Sequence, residues 1–137
     1  MFKKIMLPVD LQHADRLEKA IGVGVDLARL YGCGLCLVGV TAETPTAVAH
    51  NPEEYADKLD QFAAEMAETQ GIDVESAAYA AHDPSIDLDK TLLAAADEIG
   101  CDAIVMASHV PGLPEHFFAS HGGKIASHAP MSVFVVR

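Results

Sequence analysis

Asp102–His109 reads DAIVMASH and, with the chain that follows it to Arg137, decides the fold. An apolar run stops at Ala107-Ser108, a loop rich in proline and glycine follows, and a second apolar run, Ser132–Val136, comes after a short helix-like stretch. In a parallel sheet, the carboxyl end of a strand next to a helix N-terminus collects ligands, because free backbone N–H groups and the helix dipole attract anions there. The sequence therefore predicts a ligand site at this corner.

Strand-like and helix-like segments alternate along the whole chain. Short runs that are apolar on both faces are typical of buried parallel strands, and apolar residues three and four apart predict helices. The predicted strands are Lys3–Val9, Leu35–Thr41, Ile72–Ala81, Ala103–Ala107 and Ser132–Val136. The predicted helices are Ala14–Tyr31, a helix capped by Asn51 with a capping-box Glu and ended by Gly71, Asp87–Ile99, and a poorer one over Glu115–His128. This βαβαβαβαβ order predicts a doubly wound α/β fold with a five-stranded parallel sheet covered on both faces.

Length and charge limit the possible functions. At 137 residues the chain is expected to form a single domain, residues 1–137. Its 20 acidic and 9 basic residues give a net charge of −11, which argues against nucleic acid and against anionic membranes as partners. The amino terminus lacks the apolar region of a signal peptide and no run is long enough to span a membrane, so we expect a cytoplasmic protein.

Cysteines and histidines do not form a recognisable reactive site in the sequence. Cys33 and Cys36 make a C-x-x-C, but the pair follows a helix and enters a strand, where the two side chains point to opposite faces. His109, His116 and His121 fall near the predicted corner without the close spacing of a metal site. Adjacent Ser108 and His109 point apart and cannot act as nucleophile and base. We therefore expect no metal and no enzymatic activity beyond a very slow, incidental ATP hydrolysis.

Four local signals together resemble the universal stress protein family over the whole chain. They are the opening IMLPVD (Ile5–Asp10), Val40 near the end of the second strand, MASH (Met106–His109), and the Ala119-Ser120 pair ahead of HAPMSVFVVR (His128–Arg137). The resemblance implies the strand order 3-2-1-4-5, a stress-response or regulatory role, and bound ATP, with Mg²⁺ if it arrives with the nucleotide.

The nucleotide loop is similar to one of two branches of that family. The ATP-binding branch carries G-x-x-G, nine residues and G-[S/T]; a second branch keeps Gly-Ser at both ends of the loop and has a proline within it, as Gly-Ser-x-x-Pro. ASHVP (Ala107–Pro111) and FFAS (Phe117–Ser120) align with this second branch without a gap. Ala107 and Ala119 stand where the family has glycine, and Val110 stands at the second glycine of the ATP pattern. A methyl group is accommodated there only where φ is negative.

Residue by residue, the resemblance implies an adenosine site at the ends of the first two strands. Pro8 and Val9 would flank the adenine, and Asp10 would accept a hydrogen bond from a ribose hydroxyl. The main chain of Val40 would bind the adenine edge.

The phosphates would lie along the loop after the fourth strand. Met106, Ala107 and Val110 would line the ribose and phosphate path, and Ala119 precedes the phosphate-binding end of the loop. Ser120 and His121 would offer backbone amides, and Ser120 its hydroxyl. From the residues alone, Asp10 and Ser120 are equally compatible with simple helix capping.

The last strand, Ser132–Val136, is apolar on both faces and lies at the sheet edge in the implied order. We therefore predict a homodimer that pairs this strand with its twin.

Two alternatives stay open. One is a nucleotide-free dimeric interaction module that binds an unidentified protein. The other is a phospho-acceptor receiver domain using Asp10, Asp83 and Ser108, although such a site needs a second acidic residue where Leu11 stands.

Overall fold

The computed structural model describes residues 1–108 and 121–137. The strands are β1 (Lys4–Pro8), β2 (Gly34–Ala42), β3 (Val74–Ala81), β4 (Ala103–Ala107) and β5 (Ser132–Val136). The α-helices are α1 (Glu18–Tyr31), α2 (Pro52–Gln70), α3 (Pro84–Ile99) and α4 (His121–His128), and a 3-10 helix, Leu11–Leu17, precedes α1. Of the helices in this described part, none combines the length and hydropathy needed to cross a bilayer.

The five strands form one parallel sheet in the order β3-β2-β1-β4-β5, which confirms the predicted fold class and strand order. Glycine contacts show how the helices cover it. Gly24 of α1 lies against Leu35 of β2, and Gly39 of the same strand lies against Tyr55 of α2, so α1 and α2 cover one face. Gly122 of α4 lies against Val135 on the opposite face.

The core lies in the central strands, where the apolar side chains of β1, β2 and β4 are almost completely buried between the two helix layers. Gly24 shows how closely α1 packs, because a Cβ there would lie 2.6 Å from Leu7 Cδ1. Glycine weakens a helix interior, which suggests a close contact at this position, and the packing of Gly24 against the sheet provides that contact.

The structure corrects two predicted helix boundaries and one predicted capping hydrogen bond. The first helix is a 3-10 helix over Leu11–Leu17 with non-helical geometry at His13, and the α-helix begins only at Glu18. α3 begins at Pro84, three residues before its predicted start at Asp87, because the Asp83 side chain accepts from the Ser85 N–H and caps the helix. The Glu54 carboxylate accepts from the N–H of His50 rather than of Asn51, so the capping box is displaced by one residue.

The predicted helix Glu115–His128 is seen over His121–His128, and its first part lies outside the described residues. β1, β2 and β3 differ from their predicted bounds by one or two residues at an end.

Candidate functional site

The carboxyl ends of β1 and β4 meet where the strand order reverses. β2 and β3 lie on one side of β1, and β4 and β5 lie on the other. The Val9 N–H donates to Val38 O at 2.8 Å and the Ser108 N–H donates to Val136 O at 2.8 Å, so each strand is held to its outer neighbour up to its end. In doubly wound sheets this reversal opens a crevice that binds ligands. The structure therefore brings the predicted segments Pro8–Asp10 and Met106–Ser108 to one edge.

Asp10 caps the 3-10 helix at this edge, and its carboxylate can still accept a further hydrogen bond. One carboxylate oxygen accepts from the Gln12 N–H at 3.1 Å, and the other lies 2.8 Å from His13 Nδ1. The Asp10 side chain is only 16% exposed. A carboxylate has about four lone-pair sites, so these two contacts leave acceptor capacity for a ribose hydroxyl. The cap and the ligand role are therefore compatible.

Tyr55 of α2 is a neighbour of the site that the sequence presented only as part of an apolar stripe. Its hydroxyl oxygen accepts from the backbone N–H of Leu11 and packs so closely against Gly39 that a Cβ on this residue would lie only 2.4 Å from it. Burial, with the nearby charge of Asp10, raises the Tyr55 pKa far above its usual range, so the hydroxyl stays protonated. Gly39 in a strand interior is the signal that could have revealed this close approach. Tyr55 thus fixes the position of β2 next to Val40, which is half-buried.

The N-terminus of α4 is held by a part-buried hydrogen bond between a histidine and an aspartate. His121 Nδ1 lies 2.5 Å from Asp89 Oδ1 of α3, and the His121 side chain is only 10% exposed. The next residue, Gly122, packs against Ser108 and Val135, where a Cβ would lie 3.8 Å from Ser108 Cβ. The resemblance had assigned only a backbone role to His121. Its imidazole serves a structural role by joining α4 to α3, beside the end of β4.

The remaining predicted residues differ in what they can offer. Four of them are buried: Pro8, Val9, Met106 and Ala107. A ligand would therefore contact only those of their atoms that are exposed at the edge of the sheet. No non-glycine residue in the described ranges has a positive φ, so Ala107 adopts a backbone geometry in which its methyl group causes no strain. Val110, Ala119 and Ser120 lie outside the described residues.

Two of the three thiols, those of Cys36 and Cys101, are buried, and Cys33 is half-buried. Burial raises the pKa of Cys36 to about 11 and that of Cys101 to about 12, and it also raises the pKa of Cys33. All three cysteines are free. A redox pair needs a depressed pKa, so the C-x-x-C has the chemistry of core residues.

Residues 1–108 and 121–137 hold no group of three His, Cys, Asp or Glu side chains placed to bind a metal ion. His109 and His116, which the sequence placed near this corner, lie outside those ranges. Asp83, one of the three residues named for the receiver-domain alternative, caps α3.

A sequence model of the universal stress protein family matches residues 1–137. Solved structures share the fold. UspA of Lactobacillus plantarum is 20% identical, with a TM-score of 0.70 and coverage of 98% of this chain and 97% of that one. A universal stress protein of Archaeoglobus fulgidus in complex with dAMP is 21% identical, with a TM-score of 0.65 and 98% of each chain covered.

A third universal stress protein, in complex with cAMP, is 15% identical, with a TM-score of 0.70 and coverage of 99% and 97%. None of the curated proteins is similar enough in sequence to match. At these identities the likeness to solved structures establishes the fold.

Proposed function

The chain belongs to the universal stress protein family, and on that premise we propose that it binds an adenine nucleotide, ATP, at the carboxyl ends of β1, β2 and β4. The observation that carries the proposal is the convergence of Val9-Asp10 and Ala107-Ser108 at the reversal of strand order, with Ala107 free of backbone strain. The dAMP and cAMP complexes of two proteins with this fold support adenine as the base.

In the proposed complex, Pro8 and Val9 flank the adenine and the main chain of Val40 binds its edge. The Asp10 carboxylate accepts a hydrogen bond from a ribose hydroxyl, using acceptor sites that its contacts with Gln12 and His13 do not occupy. Ser120 and His121 offer amides to the phosphates at the start of α4, where the helix dipole favours negative charge. Mg²⁺ arrives with the phosphates and takes oxygen ligands from them.

The proposed role is binding without turnover, as part of a stress response or regulation. The Asp89 carboxylate holds the imidazole of His121, and the protonated thiols of Cys36 and Cys101 are buried in the core. Neither arrangement presents an activated nucleophile to the crevice. We place the chain in the branch with Gly-Ser-x-x-Pro in its loop, and we propose that the protein acts in the cytoplasm.

We further propose that two copies pair through β5. β5 is an edge strand, and the Phe134 side chain at its centre is 51% exposed. An apolar edge with unpaired backbone groups is usually covered by another chain. Pairing β5 with its twin across a two-fold axis would cover both the edge and the two Phe134 side chains.

A second candidate function keeps the dimer and lacks the nucleotide. It is favoured by the replacement of three family glycines by Ala107, Val110 and Ala119. Under this alternative the protein is an interaction module for an unidentified protein, and Asp10 serves only as a helix cap.

Calorimetric titration with ATP and Mg²⁺ tests the nucleotide proposal. We expect heat of binding and a raised melting temperature at millimolar ATP. We expect a weaker response to GTP, because in the proposed complex the main chain of Val40 binds the adenine edge. Asp10→Asn keeps an N-cap residue and should weaken ATP binding about tenfold, as expected for one lost hydrogen bond to a charged group. Asp15→Asn, on the same 3-10 helix, is the matched control. If millimolar ATP produces neither heat nor a thermal shift, the alternative function stands.

A further inference from the structure

A groove runs between α1 and α2 on the outer surface of the protein. Both helices cover the same face of the sheet, yet they make few direct contacts with each other. The space between them is an open groove of about 530 Å³, which we call the α1–α2 groove. Its apolar floor is made by Ile21, Val25, Phe62 and Met66. This volume falls within the range of about 300–1,000 Å³ typical of binding sites.

One end of the groove is closed by a polar clamp. The Arg29 guanidinium donates to Gln70 O at 2.7 Å and to Gln70 Oε1 at 2.9 Å, which joins the last turn of α1 to the last turn of α2. The floor therefore stays open while the helices are held at a fixed separation.

Gly22 is the residue of the groove that packing within the chain does not explain. It lies in the middle of α1 and lines the groove, and no atom of the described residues outside its own stretch of helix lies within 4 Å of where its Cβ would be. Glycine weakens a helix interior relative to alanine. Gly24, two residues later, contacts Leu7 closely and so has a reason inside the fold. Gly22 instead leaves the helix backbone accessible from the groove.

The rim of the groove is acidic. Glu18, Gly22 and Asp26 follow one another at a spacing of four residues along α1, so they share one face of the helix. Asp15 extends this side of the rim, and Glu65 of α2 lies across the groove. Among the described residues that line the groove, the basic one is Arg29; it forms the clamp at the end of the groove, and its Nη1 lies 3.8 Å from Asp26 Oδ1 on the rim. An apolar floor between acidic walls is complementary to a ligand with an apolar face and basic flanks.

We propose that the α1–α2 groove is the docking site for a basic amphipathic helix of a partner protein. A helix whose apolar face lies on the floor buries Ile21 and Phe62, its lysines and arginines reach the acidic rim, and Gly22 lets the two backbones approach closely. A second copy of this chain fits poorly, because its own groove is equally acidic and its net charge is −11. The site is separate from the nucleotide crevice, so the inference does not depend on the proposed function.

Fluorescence anisotropy tests this with the full-length protein and a labelled synthetic helix of leucines and lysines about as long as α1, 14 residues. Two variants change the groove: Gly22→Leu fills the space above the floor, and Glu65→Lys reverses one rim charge. Glu68→Lys makes the same charge change on α2 outside the groove and is the matched control. Far-UV circular dichroism checks that each variant is folded.

We expect each groove variant to weaken binding about tenfold or more, which corresponds to about 1.4 kcal/mol, and the control to bind as the wild type does. A peptide of the same composition with a scrambled order should lose most of the affinity, because its apolar residues no longer share one face. Equal binding of the scrambled peptide, or equal weakening by Glu68→Lys, would reduce the effect to general charge attraction and overturn the proposal. Self-association of the protein that Gly22→Leu abolishes would overturn it too, by identifying a second copy as the occupant.

Discussion

Three glycines with different surroundings show at the residue scale what holds the site in place. Gly39 gives Tyr55 room beside the crevice, Gly24 lets α1 approach the sheet, and Gly22 faces the open groove. In the sequence, each of them is simply a glycine inside a predicted helix or strand. Only the neighbours in space distinguish a glycine required by packing from one that leaves a surface accessible.

Gly39→Ala should destabilise the protein. The new Cβ would lie 2.4 Å from the Tyr55 hydroxyl and 2.8 Å from Tyr55 Cε1, and overpacking of this kind costs about 1–3 kcal/mol. Urea denaturation measures the change in the free energy of unfolding. Gly22→Ala is the control, because its Cβ enters open space in a helix and should stabilise the protein by up to about 1 kcal/mol. A Gly39→Ala protein as stable as the wild type would show that Tyr55 is not packed in this position.

Asp89→Ala should loosen the start of α4. It removes a carboxylate that lies 2.5 Å from the buried imidazole of His121, and losing a hydrogen bond to a charged group costs about 1.5–3 kcal/mol. Glu43→Ala provides the comparison, because it removes an exposed carboxylate 3.8 Å from His82 and should leave the free energy of unfolding essentially unchanged. Equal effects of the two substitutions would contradict the structural role given to the Asp89–His121 pair.

At the scale of the elements, sequence patterns predicted the strands and the order of the layers well, because buried parallel strands are apolar on both faces. They failed where local hydrogen bonding decided a boundary. The third helix is predicted to begin at Asp87, although an aspartate cap followed by proline, as at Asp83-Pro84, also begins a helix. Local hydrogen bonding also decides the start of the first helix. The sequence predicts an α-helix from Ala14, but Asp10 caps a 3-10 helix over Leu11–Leu17.

The site was predictable only in part. Short motifs and their resemblance to a family pointed to the ends of β1 and β4, and the fold brings those ends together. Tyr55 and Asp89 could not be found in this way, because each acts on a residue that is distant in sequence and shares no pattern with it. Such pairs are fixed by how helices pack on the sheet, which periodicity does not specify.

Two buried cysteines in or beside the strands predict how the free energy of unfolding depends on pH. Burial raises the pKa of Cys36 on β2 from 9.0 to about 11, and that of Cys101, just before β4, to about 12. In the unfolded chain both thiols ionise near pH 9, so unfolding releases protons above that pH. The contribution of the two thiols to stability should therefore be fully present below pH 9. The free energy of unfolding should then fall by about 1 kcal/mol or more as the pH rises towards 11.

Urea denaturation at pH 8 and pH 10.5 measures this loss. Cys36→Ala should reduce the difference between the two pH values, although it also lowers stability at both by creating a small cavity. An unchanged pH dependence in this variant would show that the Cys36 thiol does not contribute to it.

At the scale of the whole molecule, the exposed edge of β5 predicts self-association. We expect the mass of a dimer at concentrations of about tens of micromolar, measured by light scattering after gel filtration. Phe134→Asp places like charges at the centre of the paired edge and should yield monomers. Leu30→Asp removes a similarly exposed apolar residue, on α1, and should leave the dimer intact. A wild-type protein that is monomeric under these conditions would contradict the pairing.

The central claim, that the reversal of strand order forms a nucleotide crevice, is tested most directly by a backbone amide NMR titration of the full chain with ATP and Mg²⁺. We predict shifts concentrated at Asp10, Val40 and Ser108, with little change at Gly22 and Glu65 in the α1–α2 groove. Spectra that stay unchanged at millimolar ATP, or shifts confined to other surfaces, would contradict the account.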